Sequence, residues 1–226
     1  MDICISAVAW RPCYRIIPSR FPPVSVFEAV ADPADLEAVF AIEALTNDRL
    51  REEAGDLSLV PPNERVSGPG RTPIMAAFTH LNPSGSRFCD GSYGVFYAGL
   101  ALETAIAETK HHRSIFLEAT SEPSQELDMR VYAVDLGASL HDMRGMRQTH
   151  PLLYHPSSYS ASQAVARELR DAGSDGIVYE SVRHEGGQCA GIFRPRLLTN
   201  LRQERHLCYV WDGRAISNIY EKKMLE

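Results

Sequence analysis

Residues 82–108 read NPSGSRFCDGSYGVFYAGLALETAIAE. The polar, glycine-containing residues 82–94 predict a loop, the apolar run 95–98 predicts a short strand that Gly99 ends, and the composition of 102–112 predicts a helix. Ala101, Ala105 and Glu108 are spaced by four and three residues, so they share one side of that helix. The stretch therefore predicts a loop–strand–helix unit with a carboxylate on a helix face of small residues.

The rest of the chain supplies more strands than helices. The opening residues are typical of a strand that continues to Ile17, and Asp32-Pro33 provides the N-cap and first residue of an amphipathic helix over 33–54. The pattern predicts further strands at 73–79, 129–136, 176–179, 191–193 and 207–211, and another helix at 160–172. Because βαβ alternation is missing and neither GxGxxG nor GxxxxGKS/T occurs, we expect an α+β fold with a mixed or antiparallel sheet and flanking helices.

Composition excludes several classes of protein. The 226 residues carry 23 Lys and Arg against 29 Asp and Glu, a formal net charge of −6, with no block of five basic residues, which argues against a nucleic-acid binder that neutralises phosphates. The longest apolar runs fall far short of the roughly 20 residues that a membrane span needs. Five cysteines without a CxxC pair indicate neither a disulfide framework nor a thiolate zinc site, and they favour the reducing cytoplasm.

Three side chains within the opening stretch suit one reaction. Arg87 lies in the predicted loop, Tyr97 in the strand and Glu108 in the helix. Arginine binds a diphosphate in a bidentate fashion, an aromatic ring offers a face for stacking, and a carboxylate stabilises positive charge at an anomeric carbon. Ordinary glycoside hydrolysis needs two carboxylates, but the nicotinamide of NAD leaves as a neutral amide without a general acid. Cleavage of the nicotinamide–ribose bond therefore fits these residue types.

Four segments of the chain resemble the RES-domain family. They are NPSGSRF at 82–88, Tyr97-Ala98, LETAIAE at 102–108 and DGIVYESVR at 175–183. The family is named for an Arg, a Glu and a Ser, which the resemblance maps onto Arg87, Glu108 and Ser181. The resemblance spans roughly residues 71–212. We expect one compact unit in which residues 1–70 form an N-terminal strand and helical extension packed on a RES domain at 71–226.

The resemblance implies a toxin of a bacterial toxin–antitoxin module, with a fold similar to ADP-ribosyltransferase toxins. Family members degrade NAD by phosphorolysis or hydrolysis, and at least some transfer ADP-ribose to a protein, so the acceptor stays open among phosphate, water and a protein. NAD is then the substrate, and no metal is implied. The implied partner is a cognate antitoxin with a Xre-like or DUF2384-type domain, which blocks the cleft and carries any contact with DNA.

The resemblance also implies a role for each site residue. Arg87 would contact the diphosphate or the nicotinamide ribose, Tyr97 would stack on nicotinamide, and Glu108 would support the oxocarbenium-like centre. Ser181 would hydrogen-bond the ribose or the nicotinamide side. Arg15 and His80 are further candidates for NAD binding, taken from neighbouring motif positions.

Other interpretations of the same residues remain open at this point. Glu108 with His111 and His112 has the spacing of metal ligands on a helix, although no second such element is visible and a solvated helix end fits as well. Cys89 with His80 could form a nucleophile and base, and Gly186-Gly187 could either wrap a phosphate or form a plain turn. A non-catalytic module whose cleft binds a partner segment is the alternative from a different functional class.

Overall fold

The computed structural model describes residues 1–19 and 55–223. Within these ranges seven strands and three helices form an α+β fold with a mixed sheet, as the sequence predicts. The strands are β1 (Ile5–Pro18), β2 (Phe96–Gly99), β3 (Gln125–Asp142), β4 (Gly176–Glu180), β5 (Gln188–Ile192), β6 (Leu198–Trp211) and β7 (Ile216–Lys222). The helices are α1 (Thr72–Thr79), α2 (Leu102–Ala119) and α3 (Ser160–Asp171). The helix predicted over 33–54 lies outside the described residues.

The strands follow the order β1-β2-β5-β4-β3-β6-β7, and β1 also pairs with β3. These pairings join β1, β2, β5, β4 and β3 into a ring, from which β6 and β7 extend. All pairs are antiparallel except β3 with β4, where His141 and Asp142 lie beside Ile177 and Val178. β1 runs along β3 from Ile5 beside His141 to Pro18 beside Met129, so the N-terminal strand is built into the sheet.

One predicted strand is wrong. Residues 73–79 belong to α1, which has Pro73 in its first turn, where a missing backbone N–H leaves no hydrogen bond unmade. Ile74, Met75 and Phe78 are buried in the main core, at spacings that one side of a helix provides. A short apolar run fits a buried strand and a buried helix equally well, and here packing against the sheet selects the helix.

Other elements are present but longer than predicted. α2 continues past residue 112 because the sequence offers neither Gly nor Pro before Pro123, and Leu117 in this extension is buried. The edge strand β7 is absent from the sequence prediction. It forms a hairpin with β6 across a turn in which an Asp212 side-chain oxygen accepts hydrogen bonds from the backbone N–H groups of Arg214 and Ala215, both at 2.8 Å.

Among the described residues, no helix has both the length and the apolar character to cross a bilayer.

The connection between β2 and α2 positions candidate site residues on both elements. β2 pairs with β5, with Tyr97 beside Gly191 and Gly99 beside Cys189. A Cβ atom on Gly99 would lie 2.8 Å from the backbone nitrogen of Ala105, which is closer than real contacts allow. Glycine at this position therefore lets the first turn of α2 fold back against the end of β2, and this brings the face that carries Glu108 over the sheet.

Candidate active site

A cleft of about 750 Å³ opens between the 82–94 loop, β1, β2 and α2. Of the six residues that the resemblance assigns to NAD, five line it: Arg15, His80, Arg87, Tyr97 and Glu108. The sixth, Ser181, contacts Glu108 directly. The fold thus gathers side chains that are up to 166 positions apart in the chain, from Arg15 to Ser181. Their roles toward a ligand stay predictions.

Glu108 is held by the segment that follows β4. Its Oε1 accepts a hydrogen bond of 2.6 Å from the hydroxyl of Ser181, and its side chain is only 22% exposed. The Ser181 oxygen in turn accepts hydrogen bonds from the backbone N–H groups of Arg183 at 3.0 Å and His184 at 2.9 Å. Because Ser181 is buried and uses its donor and both acceptor positions here, it fixes the direction of the Glu108 carboxylate.

The preceding turn of α2 is fixed to the same segment. Thr104, one turn before Glu108, contacts Nδ1 of His184 through its hydroxyl at 2.9 Å. Two positions four residues apart on α2 therefore meet two residues of the 181–187 turn. Gly187 closes this turn by donating its N–H to the carbonyl of His184 and accepting from the N–H of Ser181, so Gly186-Gly187 forms a plain turn.

Arg87 is a buried cation held by carbonyl oxygens. Its Nη1 donates to Leu153 at 3.0 Å and its Nη2 to His155 at 3.2 Å, and the guanidinium carbon lies 4.8 Å from the centre of the Tyr159 ring. No carboxylate of the described residues forms an ion pair with it. A guanidinium has five N–H donors, so three remain for a ligand. A buried cation without a counterion is suited to binding an anion.

The phenol of Tyr97 braces the loop that carries Arg87. Its oxygen lies 2.8 Å from the hydroxyl of Ser86 and accepts a hydrogen bond of 2.9 Å from the N–H of Phe88. Burial raises the pKa of the Tyr97 hydroxyl, so it stays protonated at neutral pH and can donate to Ser86. The ring also packs beside Phe88, with centroids 6.3 Å apart and planes 21° apart. The predicted stacking residue therefore also anchors the loop.

Arg15 brings a second cation into the cleft from β1. Its Nη1 donates to the carbonyl of Tyr97 at 3.1 Å, and its guanidinium lies 4.6 Å from the centre of the Phe96 ring. Its Nε is buried without a hydrogen-bond partner, and among the described residues no carboxylate pairs with it. Burial lowers the pKa of the guanidinium to about 10, a value that still leaves it charged at neutral pH.

Two histidines of α2, His111 and His112, lie near the outer side of Glu108. The Nε2 atom of His112 lies 3.9 Å from Oε2 of Glu108. The pKa of His111 is lowered by burial and by the charge of Arg183. The pKa of His112 is lowered for the same two reasons. Near neutral pH both imidazoles are therefore uncharged. In the described part of the chain, no three His, Cys, Asp or Glu side chains are grouped as metal ligands.

The thiol of Cys89 has a structural role in the loop. It donates to the carbonyl of Tyr93 and accepts from the N–H of Gly91 at 3.1 Å, so it shapes the turn beside Arg87. His80 lies at the end of α1, where its Nδ1 is 3.2 Å from both the Thr79 hydroxyl and the carbonyl of Ala76. These contacts favour a buried structural cysteine over the nucleophile of a Cys–His pair.

Several side chains that hold the site were missed from the sequence. Tyr159 lies under the Arg87 guanidinium. Ser162 donates to the carbonyl of Arg87, and Gln163 donates to the carbonyls of Ser86 and Cys89 on either side of it. Tyr159 directly precedes α3 and the other two lie in its first turn, more than 70 residues further along the chain. An exposed-looking glutamine in the first turn of a helix carries no local signal of such a contact, because only the tertiary fold brings α3 to the loop.

Most of the chain is similar to known proteins. A family model described as the RES domain matches residues 64–212. The protein y4oC of Sinorhizobium fredii (strain NBRC 101917 / NGR234) is 33% identical over 210 residues, which cover 92% of this chain and 86% of that protein. A chain in the crystal structure of the M. tuberculosis MbcT–MbcA toxin–antitoxin complex aligns with a TM-score of 0.44 and 11% identity, covering 92% of this chain and 87% of that chain. The residues that match the RES-domain model include Arg87, Glu108 and Ser181.

Proposed function

The chain belongs to the RES-domain family, and from that premise we propose that it cleaves the nicotinamide–ribose bond of NAD as the toxin of a toxin–antitoxin module. One observation carries the proposal. A single carboxylate, Glu108, is fixed by Ser181 in a cleft that also holds the cations Arg15 and Arg87, and neither cation has a carboxylate partner among the described residues. A dianionic diphosphate next to a centre that develops positive charge would match this arrangement.

The proposed reaction uses the charge that NAD already carries. The C–N bond between ribose and the pyridinium breaks, and its electron pair neutralises the nitrogen, so nicotinamide leaves without needing a proton. Positive charge then develops on the anomeric carbon and ring oxygen, where the carboxylate of Glu108 stabilises it. An oxygen of the acceptor bonds to the anomeric carbon and loses a proton. Arg87 and Arg15 would hold the diphosphate, and the Tyr97 ring would offer a face to nicotinamide.

The identity of the acceptor separates three versions of the proposal. Purified protein would be incubated with NAD in buffers with and without phosphate, and the products separated. ADP-ribose 1″-phosphate formed only in phosphate indicates phosphorolysis, and free ADP-ribose in both buffers indicates hydrolysis. Label from NAD that becomes attached to a protein indicates ADP-ribosylation. Intact NAD in every sample, from protein free of any partner, would refute the enzymatic proposal.

The alternative is a cleft that only binds a partner segment. Under the enzymatic proposal, overproduction of the chain in the cytoplasm stops bacterial growth by depleting NAD, and Glu108→Ala or Arg87→Ala relieves the arrest. Under the alternative, the same changes weaken partner binding and leave growth unaffected. The proposed partner is a small antitoxin of the Xre or DUF2384 type, which the neighbouring reading frame should encode. Co-production of that protein should restore growth.

A further inference from the structure

The backbone around Arg87 is fixed by side chains from the first turn of α3. The Nε2 of Gln163 donates to the carbonyl oxygens of Ser86 at 2.9 Å and Cys89 at 3.1 Å. The hydroxyl of Ser162 donates to the carbonyl of Arg87 itself at 2.7 Å. Ser86 and Cys89 also form a bridge with each other, so the glutamine amide closes the small turn that presents Arg87.

The fit between this turn and Gln163 is tight. Gly85 has a φ of +71°, and a Cβ atom there would lie 2.5 Å from the carbonyl oxygen of Cys89 and 3.0 Å from Nε2 of Gln163. Glycine is therefore required both for the backbone conformation and for the approach of the amide. The amide of Gln163 uses both of its hydrogens on the two carbonyls, which leaves the turn little freedom to shift relative to α3.

The same segment also holds the other end of Arg87. Tyr159, which directly precedes α3, lies against the guanidinium, and the turn at residues 153–155 supplies the two carbonyl oxygens that bind it. The backbone and the guanidinium of Arg87 are thus both held by residues 153–163. The opposite side of the loop is tied to β2 by the hydroxyl of Tyr97, which contacts Ser86 and Phe88.

We infer that Gln163, assisted by Ser162, is a positioning residue that acts through Arg87 on the affinity of the cleft for the diphosphate of a dinucleotide. The inference rests on the proposed function, because that function gives Arg87 its ligand. Gln163 itself uses both amide hydrogens within the loop and does not contact the ligand. Its loss lets the Ser86–Cys89 turn move, and the three free N–H groups of Arg87 no longer match the phosphate oxygens.

The test measures binding, so it does not depend on turnover. Gln163→Met keeps the length of the side chain and removes both donors, and Ser162→Ala serves as a second, smaller change. Dissociation constants are measured by calorimetry for ADP-ribose, which contains the diphosphate, and for nicotinamide riboside, which lacks it. We expect Gln163→Met to raise the Kd for ADP-ribose about tenfold and Ser162→Ala to raise it by about threefold, with the Kd for nicotinamide riboside unchanged.

Two controls separate positioning from a general loss of structure. Arg167→Met removes another contact between α3 and the same loop, the ion pair with the Asp90 side chain, and leaves the hydrogen bonds to the carbonyls of Ser86, Arg87 and Cys89 in place. It should leave both dissociation constants unchanged. In an Arg87→Ala background, Gln163→Met should cause no further loss of ADP-ribose affinity, because Gln163 acts only through Arg87.

The possible failures are distinguishable. A wild-type protein that binds no ADP-ribose refutes the proposed function and removes the basis of the inference. Wild-type binding that Arg87→Ala weakens but Gln163→Met and Ser162→Ala leave unchanged overturns the inference alone. Equal losses for ADP-ribose and nicotinamide riboside in Gln163→Met, or additive losses with Arg87→Ala, also overturn it, because they describe a merely structural role.

Discussion

The hydroxyl of Ser181 donates a hydrogen bond of 2.6 Å to Oε1 of Glu108. The sequence resemblance places both residues in one site but assigns Ser181 to the ribose or nicotinamide. In the structure its donor is used by Glu108 and its acceptor positions by two backbone N–H groups. We therefore expect Ser181 to act on the reaction through the direction of the Glu108 carboxylate.

Ser181→Ala should lower kcat for nicotinamide release about 10- to 100-fold, because a hydrogen bond to a charged group is lost and the carboxylate can rotate. The KM for NAD should change much less. Steady-state kinetics on the purified variant measure both values. Ser217→Ala, which removes an exposed hydroxyl on β7, is the matched control and should behave as wild type. A large rise in KM at constant kcat would instead indicate that Ser181 contacts the substrate.

Arg15→Met should weaken ADP-ribose binding about tenfold or more without lowering the thermal stability. Desolvation lowers the pKa of the Arg15 guanidinium to about 10, and its Nε has no hydrogen-bond partner. Burying this charged group therefore makes folding less favourable. Calorimetric binding and a thermal melt on the same sample measure both effects. A clear fall in Tm with unchanged affinity would show that Arg15 is structural.

Tyr97→Phe should lower the free energy of unfolding by about 2 kcal/mol, or Tm by about 4–8 °C, because the Ser86 hydroxyl and the Phe88 N–H lose their partner. The aromatic ring and its stacking face remain. Tyr220→Phe removes the hydroxyl of an exposed tyrosine on β7 and should leave Tm unchanged. Equal melting temperatures for the two variants would contradict the bracing role of the Tyr97 phenol.

His111 should make the folded state less stable as the pH falls. Its pKa is lowered by burial and then by Arg183 and His112, while Glu108 acts in the opposite direction. As the pH falls below about 6.5, the ordinary pKa of histidine, the unfolded chain binds a proton at this side chain more readily than the folded chain does. The free energy of unfolding therefore decreases as the pH drops below that value. His111→Gln should show a smaller fall in Tm between pH 7.5 and 5.5 than wild type. The same fall in both proteins would exclude this origin.

The fold class could be predicted from the sequence because local patterns identify most of the strands. The loop, strand and helix over 82–112 could be predicted for the same reason, since glycine, apolar and helical segments follow one another without ambiguity. Residues 73–79 could not be assigned, because a short buried run fits two structures and only its packing distinguishes them. Strand lengths were underestimated at β3 and β6, where exposed residues continue the pairing beyond the apolar run.

The candidate site shows a similar division. Arg87, Glu108 and Ser181 could be identified because they lie in motifs of a family, and the structure brings them to one region. The residues that hold these side chains in place could not be identified. Gln163 and Tyr159 reach the loop only through the packing of α3, and the hydrogen bond between Ser181 and Glu108 joins residues 73 positions apart. Tertiary contacts of this kind leave no periodic or compositional signal in a single sequence.

The release of nicotinamide from NAD by the purified protein and its Glu108→Gln variant tests the central claim most directly. Glu118→Gln, on the same helix but exposed, is the control. Wild type and Glu118→Gln should release nicotinamide, and Glu108→Gln should be slower by a factor of about 100 or more while still binding ADP-ribose, since the lost charge acts mainly on the transition state. No release by wild-type protein free of a partner, or equal rates for wild type and Glu108→Gln, would contradict the claim.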